Sequence, residues 1–194
     1  MKNLPLLAAI FLAGCAGGPP PPAWQGNAKY SLDSFQQAYL RGDTRVADIE
    51  FARARAELAS TGNAALVARA ELVRCATRTA SLEFDNCPEF EKLRADAGAE
   101  EIAYADFLAG RAARAAADDP LSRLVNLGVQ FKSGKANPEN IASAVEISSV
   151  QGWRRPLLAW LGVQEKRAAA AGDLSARERI RRSMDLVGPR SVDR

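Results

Sequence analysis

The sequence predicts an all-α fold, an array of short antiparallel helical hairpins, and three observations support this. Alanine is abundant, and leucine, arginine and glutamate recur along the chain. Aromatic and β-branched residues are sparse and follow helical spacing. Tight turns separate the apolar stripes, and helices joined by short turns pack as antiparallel neighbours. The array is predicted to be either an irregular bundle or a degenerate helical repeat.

Capping residues divide the first half of the domain into three helices. Ser31 is expected to cap a first helix that ends at Gly42. Asp43 or Thr44 begins a second, which ends near Gly62 and Asn63. The apolar face of this second helix consists of Ala47, Phe51, Ala54 and Leu58. A third helix is predicted over residues 64–81.

The second half begins with a helix predicted over 102–117, after a short acidic helix. Starts of further helices are marked by capping residues and prolines. These signals are Asp119 with Pro120, Asn137 with Pro138, Pro156, and Ser175 with Glu178.

Two hairpins resemble tetratricopeptide repeats in their small and aromatic positions. After Gly42, the series Ala47, Phe51 and Ala54 is similar to the second helix of that repeat, and the helix after Gly172 ends in Pro189 at a matching distance. Arg177 departs from the pattern, and no 34-residue period links the hairpins. The resemblance covers about a third of the domain and implies stacked helical hairpins.

The N-terminus carries the features of an export signal. Lys2 is followed by an apolar run over 4–12 that is too short to span a bilayer, and Leu12, Ala13 and Gly14 precede Cys15. This segment resembles the lipobox of bacterial lipoprotein precursors. The resemblance implies that residues 1–14 are cleaved and that Cys15 is acylated. The alternative is that Cys15 is an unmodified residue after an ordinary secretory signal.

The same resemblance implies a location. Ala16, rather than aspartate, follows Cys15, and in many enteric bacteria this favours the outer membrane over the inner membrane. We therefore expect an outer-membrane protein held by a lipid anchor, with its domain in the periplasm.

Residues 15–30 are predicted to form a Gly/Pro-rich linker before an α-helical periplasmic domain over 31–190. Four consecutive prolines, Pro19 to Pro22, favour an extended spacer, and the alternative is a docking ligand for a partner domain. Trp24 is expected either to pack on the domain or to lie at the membrane interface.

Two cysteines remain once Cys15 is acylated. Cys75 and Cys87 would form an even pair in an oxidising compartment, so we predict a disulfide worth about 3 kcal/mol of stability. A metal site is the weaker alternative, because the chain has no histidine to complete a tetrahedral ligand set.

The sequence contains no recognisable catalytic motif. Without histidine it lacks the commonest general base, so we predict no catalytic residues, no cofactor and no metal. Glu146 is expected to be a solvated helix residue, although its context faintly resembles the catalytic glutamate of lytic transglycosylases.

A cluster of tryptophan and arginine near the C-terminus is the candidate binding surface. These residue types are enriched in binding hot spots. The predicted partner-binding residues are Trp153, Arg154, Arg155, Arg181 and Arg182. The alternative is that Trp160 lies in the core and the arginines form a solvated face. The net charge of +3, which falls to +2 without Lys2, is too small to indicate nucleic-acid binding.

The function expected from these features is non-enzymatic: a protein-interaction or assembly accessory of the cell envelope with an envelope protein as partner. The alternative is a peptidoglycan-modifying enzyme or its lipid-anchored activator. The sequence does not predict the oligomeric state.

Overall fold

The computed structural model describes residues 20–113 and 117–188, and all regular secondary structure in these ranges is helical. The all-α prediction is therefore confirmed. A 3-10 turn, Arg94–Asp96, follows the one-turn helix α4. The helices are α1 (Ala23–Arg41), α2 (Thr44–Ala59), α3 (Ala64–Ala80), α4 (Pro88–Glu91), α5 (Ala99–Leu108), α6 (Pro120–Lys132), α7 (Pro138–Val150), α8 (Arg154–Ala170) and α9 (Leu174–Val187).

Most of the predicted caps are present. Gly42 ends α1 in the left-handed conformation, with φ of 92°. The side chains of Asp43, Asp119 and Asn137 each accept a hydrogen bond from the backbone N–H three residues later, at 3.1, 2.9 and 2.8 Å respectively.

The first helix begins earlier than predicted. It starts at Ala23, directly after Pro22, and Ser31 is a buried residue in its middle rather than its cap. Residues 23–30, which were assigned to the linker, are its first two turns. They are helical because Trp24 and Ala28 continue the apolar face of Phe35, and Trp24 packs against the core. Residues 1–19, including Cys15, lie outside the described residues.

Three later boundaries also differ from the prediction. Helix α5 ends at Leu108 instead of Ala117, because Gly110 adopts φ of 78°. Helix α8 begins two residues before Pro156. The N-cap of α9 is Asp173, which accepts from the Ala176 N–H at 2.9 Å, so Ser175 is not the cap.

Helix α3 lies between two core clusters. On one side, Val67 and Ala70 pack with α1 and α2 around Phe35 and Phe51. On the other side, Leu72 and other residues of α3 pack with α5 to α8. Trp160 of α8 belongs to this second cluster, is fully buried, and donates its indole N–H to the carbonyl oxygen of Ala80 at 3.1 Å. The interpretation of Trp160 as a core residue is therefore confirmed.

None of the helices in the described ranges is sufficiently long and apolar to cross a bilayer.

Candidate partner-binding surface

The last two helices form a basic hairpin at one end of the fold. Residues 154–188 contain eight arginines or lysines against four aspartates or glutamates, although the whole chain has a net charge of only +3. Helix α9 packs against α8, and none of its residues is buried. The C-terminal hairpin is therefore strongly basic, and its second helix, α9, contributes little to the core.

Glu165 of α8 holds α9 in place. Its Oε1 atom accepts hydrogen bonds from Arg177 Nε at 2.7 Å and from Arg181 Nε at 3.0 Å. The hydrogen bond from Arg177, supported by Arg181, keeps the pKa of the Glu165 carboxyl below its usual range. Ile180 and Met184 are half-buried on the same side of α9. One carboxylate and a short apolar stripe thus attach the terminal helix.

The opposite side of α9 is exposed. Ser175, Arg179, Arg182 and Leu186 recur at helical spacing there, and together they are called the outer face below. Leu186 is 86% exposed, and Arg182 forms no ion pair among the described residues. The side chain of Arg179 donates one hydrogen bond among the described residues, from Nη1 to Ser175 Oγ at 3.2 Å. The outer face thus combines a large exposed apolar side chain with two cations that form no salt bridge within the part of the chain that the structure describes.

Arg155 was predicted to bind a partner, and the structure places it in an internal network instead. Its Nε donates to the carbonyl oxygen of Tyr39 at 2.7 Å, and its Nη2 donates to Thr44 Oγ1 at 2.6 Å. Its Nη1 lies 3.3 Å from Glu83 Oε1. This arginine therefore joins α8 to α1 and α2, and its donor groups are engaged within the chain.

The other predicted residues are only partly brought together. Trp153 is half-buried against the larger core cluster. Arg154 is exposed and donates to the Val187 carbonyl oxygen at 3.0 Å, so it braces the end of α9. Arg181 is tied to Glu165, which leaves Arg182 as the predicted residue most accessible to a partner.

Leu186 completes this surface, and the prediction, which was based on tryptophan and arginine, did not include it. The position of Leu186, opposite Ile180 and Met184 on a helical wheel, was the available signal in the sequence.

Two cavities lie away from this hairpin. One, of about 440 Å³, lies between α3, α5 and α6 and is lined by apolar residues such as Leu72 and Phe107 together with charged residues. Arg69 and Glu101 pair beside it, with an Nε to Oε1 distance of 2.8 Å. The other cavity, of about 610 Å³, is polar and is lined in part by Cys75 and Cys87. Glu146 lines neither cavity and is exposed on α7.

Cys75 and Cys87 lie at disulfide distance, as predicted, with their Cα atoms 5.6 Å apart. Ligand atoms of Asp85 and these two cysteines lie within 4.8 Å of one another. Asp85, however, already pairs with Arg78 and accepts from the backbone N–H of Cys87 at 3.0 Å. The arrangement fits a cross-linked loop better than a cation site.

In comparisons with protein-family models, curated proteins and solved structures, nothing matches this chain. The basis for a functional proposal is therefore the chemistry of the chain's own residues.

Proposed function

We propose that this protein is a non-enzymatic lipoprotein of the bacterial outer membrane, anchored through acylated Cys15, that serves as a protein-interaction or assembly accessory in the periplasm. The lipobox formed by Leu12, Ala13, Gly14 and Cys15 supports the anchor and the compartment. Acyl chains contribute about 0.8 kcal/mol per buried methylene, and several chains give durable attachment.

The observation that carries the interaction role is the outer face of α9. A terminal helix that buries no residue, yet is capped, paired and packed on one neighbour, leaves its free side available to another molecule. Leu186 supplies an apolar anchor, and Arg182 and Arg179 lie one and two helical turns before it on the same face. Arginine is among the residues enriched at interface hot spots. The partner that fits is a protein with an acidic rim around an apolar groove.

The path of the chain favours a protein partner over the anchoring bilayer. Arg154 contacts the end of α9 at Val187, and the adjacent Arg155 contacts Tyr39 near the end of α1. The lipid anchor would join the chain before Ala23, at the opposite end of α1, and 16 helical residues span about 24 Å. Leu186, the neighbour of Val187, therefore lies near the C-terminal end of α1, whereas the lipid anchor would join the chain at the N-terminal end.

The helical architecture is consistent with this role. We propose that the hairpins form a degenerate tetratricopeptide-like array, supported by the consecutive packing of α1 with α2, α7 with α8, and α8 with α9. In a stacked array each hairpin packs only on its neighbours, as α9 packs on α8.

Site-specific photo-crosslinking in cells tests the proposal. A photoreactive residue at Leu186 should give a crosslink to an acidic envelope protein at one discrete mass. The same residue at Val150, which is 77% exposed on α7, is the matched control and should not give this product. The double variant Arg179→Glu/Arg182→Glu should abolish the crosslink.

A second double variant controls for the change in net charge. Arg45→Glu/Arg123→Glu makes the same change in net charge at exposed arginines of α2 and α6, and should leave the crosslink intact. Equal crosslinking from both positions, or equal loss in both double variants, would contradict a specific role for the outer face. Release of soluble muropeptides from purified cell wall by the protein would contradict the non-enzymatic assignment.

A further inference from the structure

The loop between α3 and α4 contains a disulfide that borders solvent. Cys75 and Cys87 both line the polar cavity of about 610 Å³, together with Phe84, which is partly exposed. Cys75 is buried, whereas Cys87 is only half-buried. The Cys87 sulfur is therefore the more accessible end of the bond.

Cations line the same cavity. Lys132 donates to Asn86 Oδ1 at 3.0 Å, and its Nζ lies 5.7 Å from the centroid of the Phe84 ring. Arg94 and Arg111 both pair with Asp106, at 3.1 and 2.6 Å. Asp85, Glu91 and Asp106 line the cavity as well, so its three cations offset its three carboxylates. A thiol attacks a disulfide as the thiolate anion, and this balance leaves no net negative charge in the cavity to oppose its approach.

The backbone of this loop is held in an unfavourable conformation. Leu82, Asn86 and Cys87 have φ of 60°, 58° and 53°, in the left-handed region that non-glycine residues rarely occupy. Such a conformation persists where its surroundings enforce it. The bond to Cys75 is one of these constraints on Cys87, so opening the bond allows the loop to relax.

A chain of charged contacts connects the loop to α8. Asp85 accepts from the Cys87 N–H and pairs with Arg78. Arg78 Nε lies 3.5 Å from Glu83 Oε2, and Glu83 Oε1 lies 3.3 Å from Arg155 Nη1. Glu83 of the disulfide loop thus helps to hold Arg155, which attaches the first turn of α8, and Asp85 is connected to Glu83 through Arg78.

We propose that the Cys75–Cys87 bond is a thiol-exchange site for a dithiol reductant, and that its reduction loosens the attachment of α8. A reductant thiolate attacks Cys87 Sγ, the S–S bond breaks, and Cys75 leaves as a thiolate that takes up a proton. The second thiol of the reductant then attacks the mixed disulfide and releases Cys87. The reductant is oxidised to its disulfide, and both cysteines are reduced to thiols.

The full mature protein, in detergent, tests both parts with dithiothreitol as the reductant. Without denaturant, maleimide should label both cysteines after reduction. Amide exchange in residues 82–87 and in the first turn of α8 should accelerate about tenfold or more, while α7 stays unchanged. Labelling that requires denaturant would overturn the exchange site. Faster exchange throughout the molecule, or none in α8, would overturn the coupling.

Two variants separate these steps. Glu83→Gln keeps the disulfide and weakens the connection to Arg155, so the backbone amides in the first turn of α8 should exchange faster even in the oxidised protein, with little added effect of reduction.

Lys132→Glu should slow reduction by glutathione about threefold relative to Lys166→Glu, which changes an exposed lysine of α8 outside the cavity. Equal rates in the two lysine variants would contradict the role of the cavity cations.

Discussion

The guanidinium of Arg155 stacks on the ring of Tyr39, 4.1 Å from its centroid, and also donates to the Tyr39 carbonyl oxygen at 2.7 Å. Burial of the ring, and then the neighbouring Glu83 carboxylate, raise the pKa of the Tyr39 phenol well above its usual range. The phenol therefore stays neutral beneath the cation. This pair connects the first helix to the basic hairpin across most of the chain length.

Removing Arg155 should destabilise the fold. Arg155→Ala leaves the Tyr39 carbonyl without a charged donor and removes one of the two arginines paired with Glu83, and a lost hydrogen bond to a charged group costs about 1.5–3 kcal/mol. Urea denaturation should therefore show a free energy of unfolding lower by roughly 2 kcal/mol. Arg154→Ala is the matched control, because Arg154 is exposed and makes one hydrogen bond, to Val187. An equally large decrease in the free energy of unfolding for Arg154→Ala would contradict a stabilising role of the Arg155 network.

Gly128 lies where α6 packs closely against the backbone of α3. A methyl group on Gly128 would collide with the Thr79 carbonyl and lie 3.2 Å from Thr79 Cγ2. Gly128→Ala should therefore lower the free energy of unfolding by about 1–3 kcal/mol, the usual cost of overpacking.

A second helical glycine provides the control for this substitution. Gly162 in α8 has open space around the position of a Cβ atom, so Gly162→Ala should be neutral or stabilise by up to about 1 kcal/mol through helix propensity. Thermal unfolding of the two variants compares them directly. Stabilisation by Gly128→Ala would contradict the close packing of α6 on α3.

The attachment of α9 should weaken in acid. The pKa of Glu165 is lower in the folded protein than in the unfolded chain, chiefly because of Arg177, so the ionised carboxylate stabilises the fold above its unfolded pKa of about 4.3. This contribution disappears as the pH falls through the lower folded pKa. Amide exchange in α9, after correction for the intrinsic pH dependence, should rise in that range.

Glu165→Gln should accelerate exchange in α9 already at neutral pH and remove its acid dependence. Glu178→Gln is the control, because Glu178 is exposed on α9 and forms no ion pair among the described residues. If the two variants behave alike, Glu165 is not what holds the terminal helix.

Local signals in the sequence predicted most helix boundaries. Asn63, Asp119 and Asn137 lie where their side chains satisfy backbone N–H groups, an interaction that depends only on near neighbours. The predicted start of α1 was wrong because serine is a common N-cap residue and Ser31 was taken as the cap. Ser31 is instead buried in the middle of α1, and that burial depends on packing against residues distant in the sequence. The end of α5 depended on Gly110, a local signal that the prediction overlooked.

The binding residues were harder to predict, because adjacent arginines have different roles. Arg154 and Arg155 are neighbours in the sequence, yet one is exposed and the other is held by Tyr39 and Thr44, more than one hundred residues away. Hydrophobic spacing identified the helix that carries Arg182. Only the three-dimensional arrangement shows which of its arginines pair with Glu165.

Metabolic labelling with a palmitate analogue tests the central claim, a lipid-anchored envelope protein, most directly. Label should be incorporated into the wild-type protein and be absent from Cys15→Ala, while Cys75→Ser/Cys87→Ser retains it. The wild-type protein should fractionate with the outer membrane. An unlabelled wild-type protein that retains its N-terminal methionine would contradict the anchor and the periplasmic location.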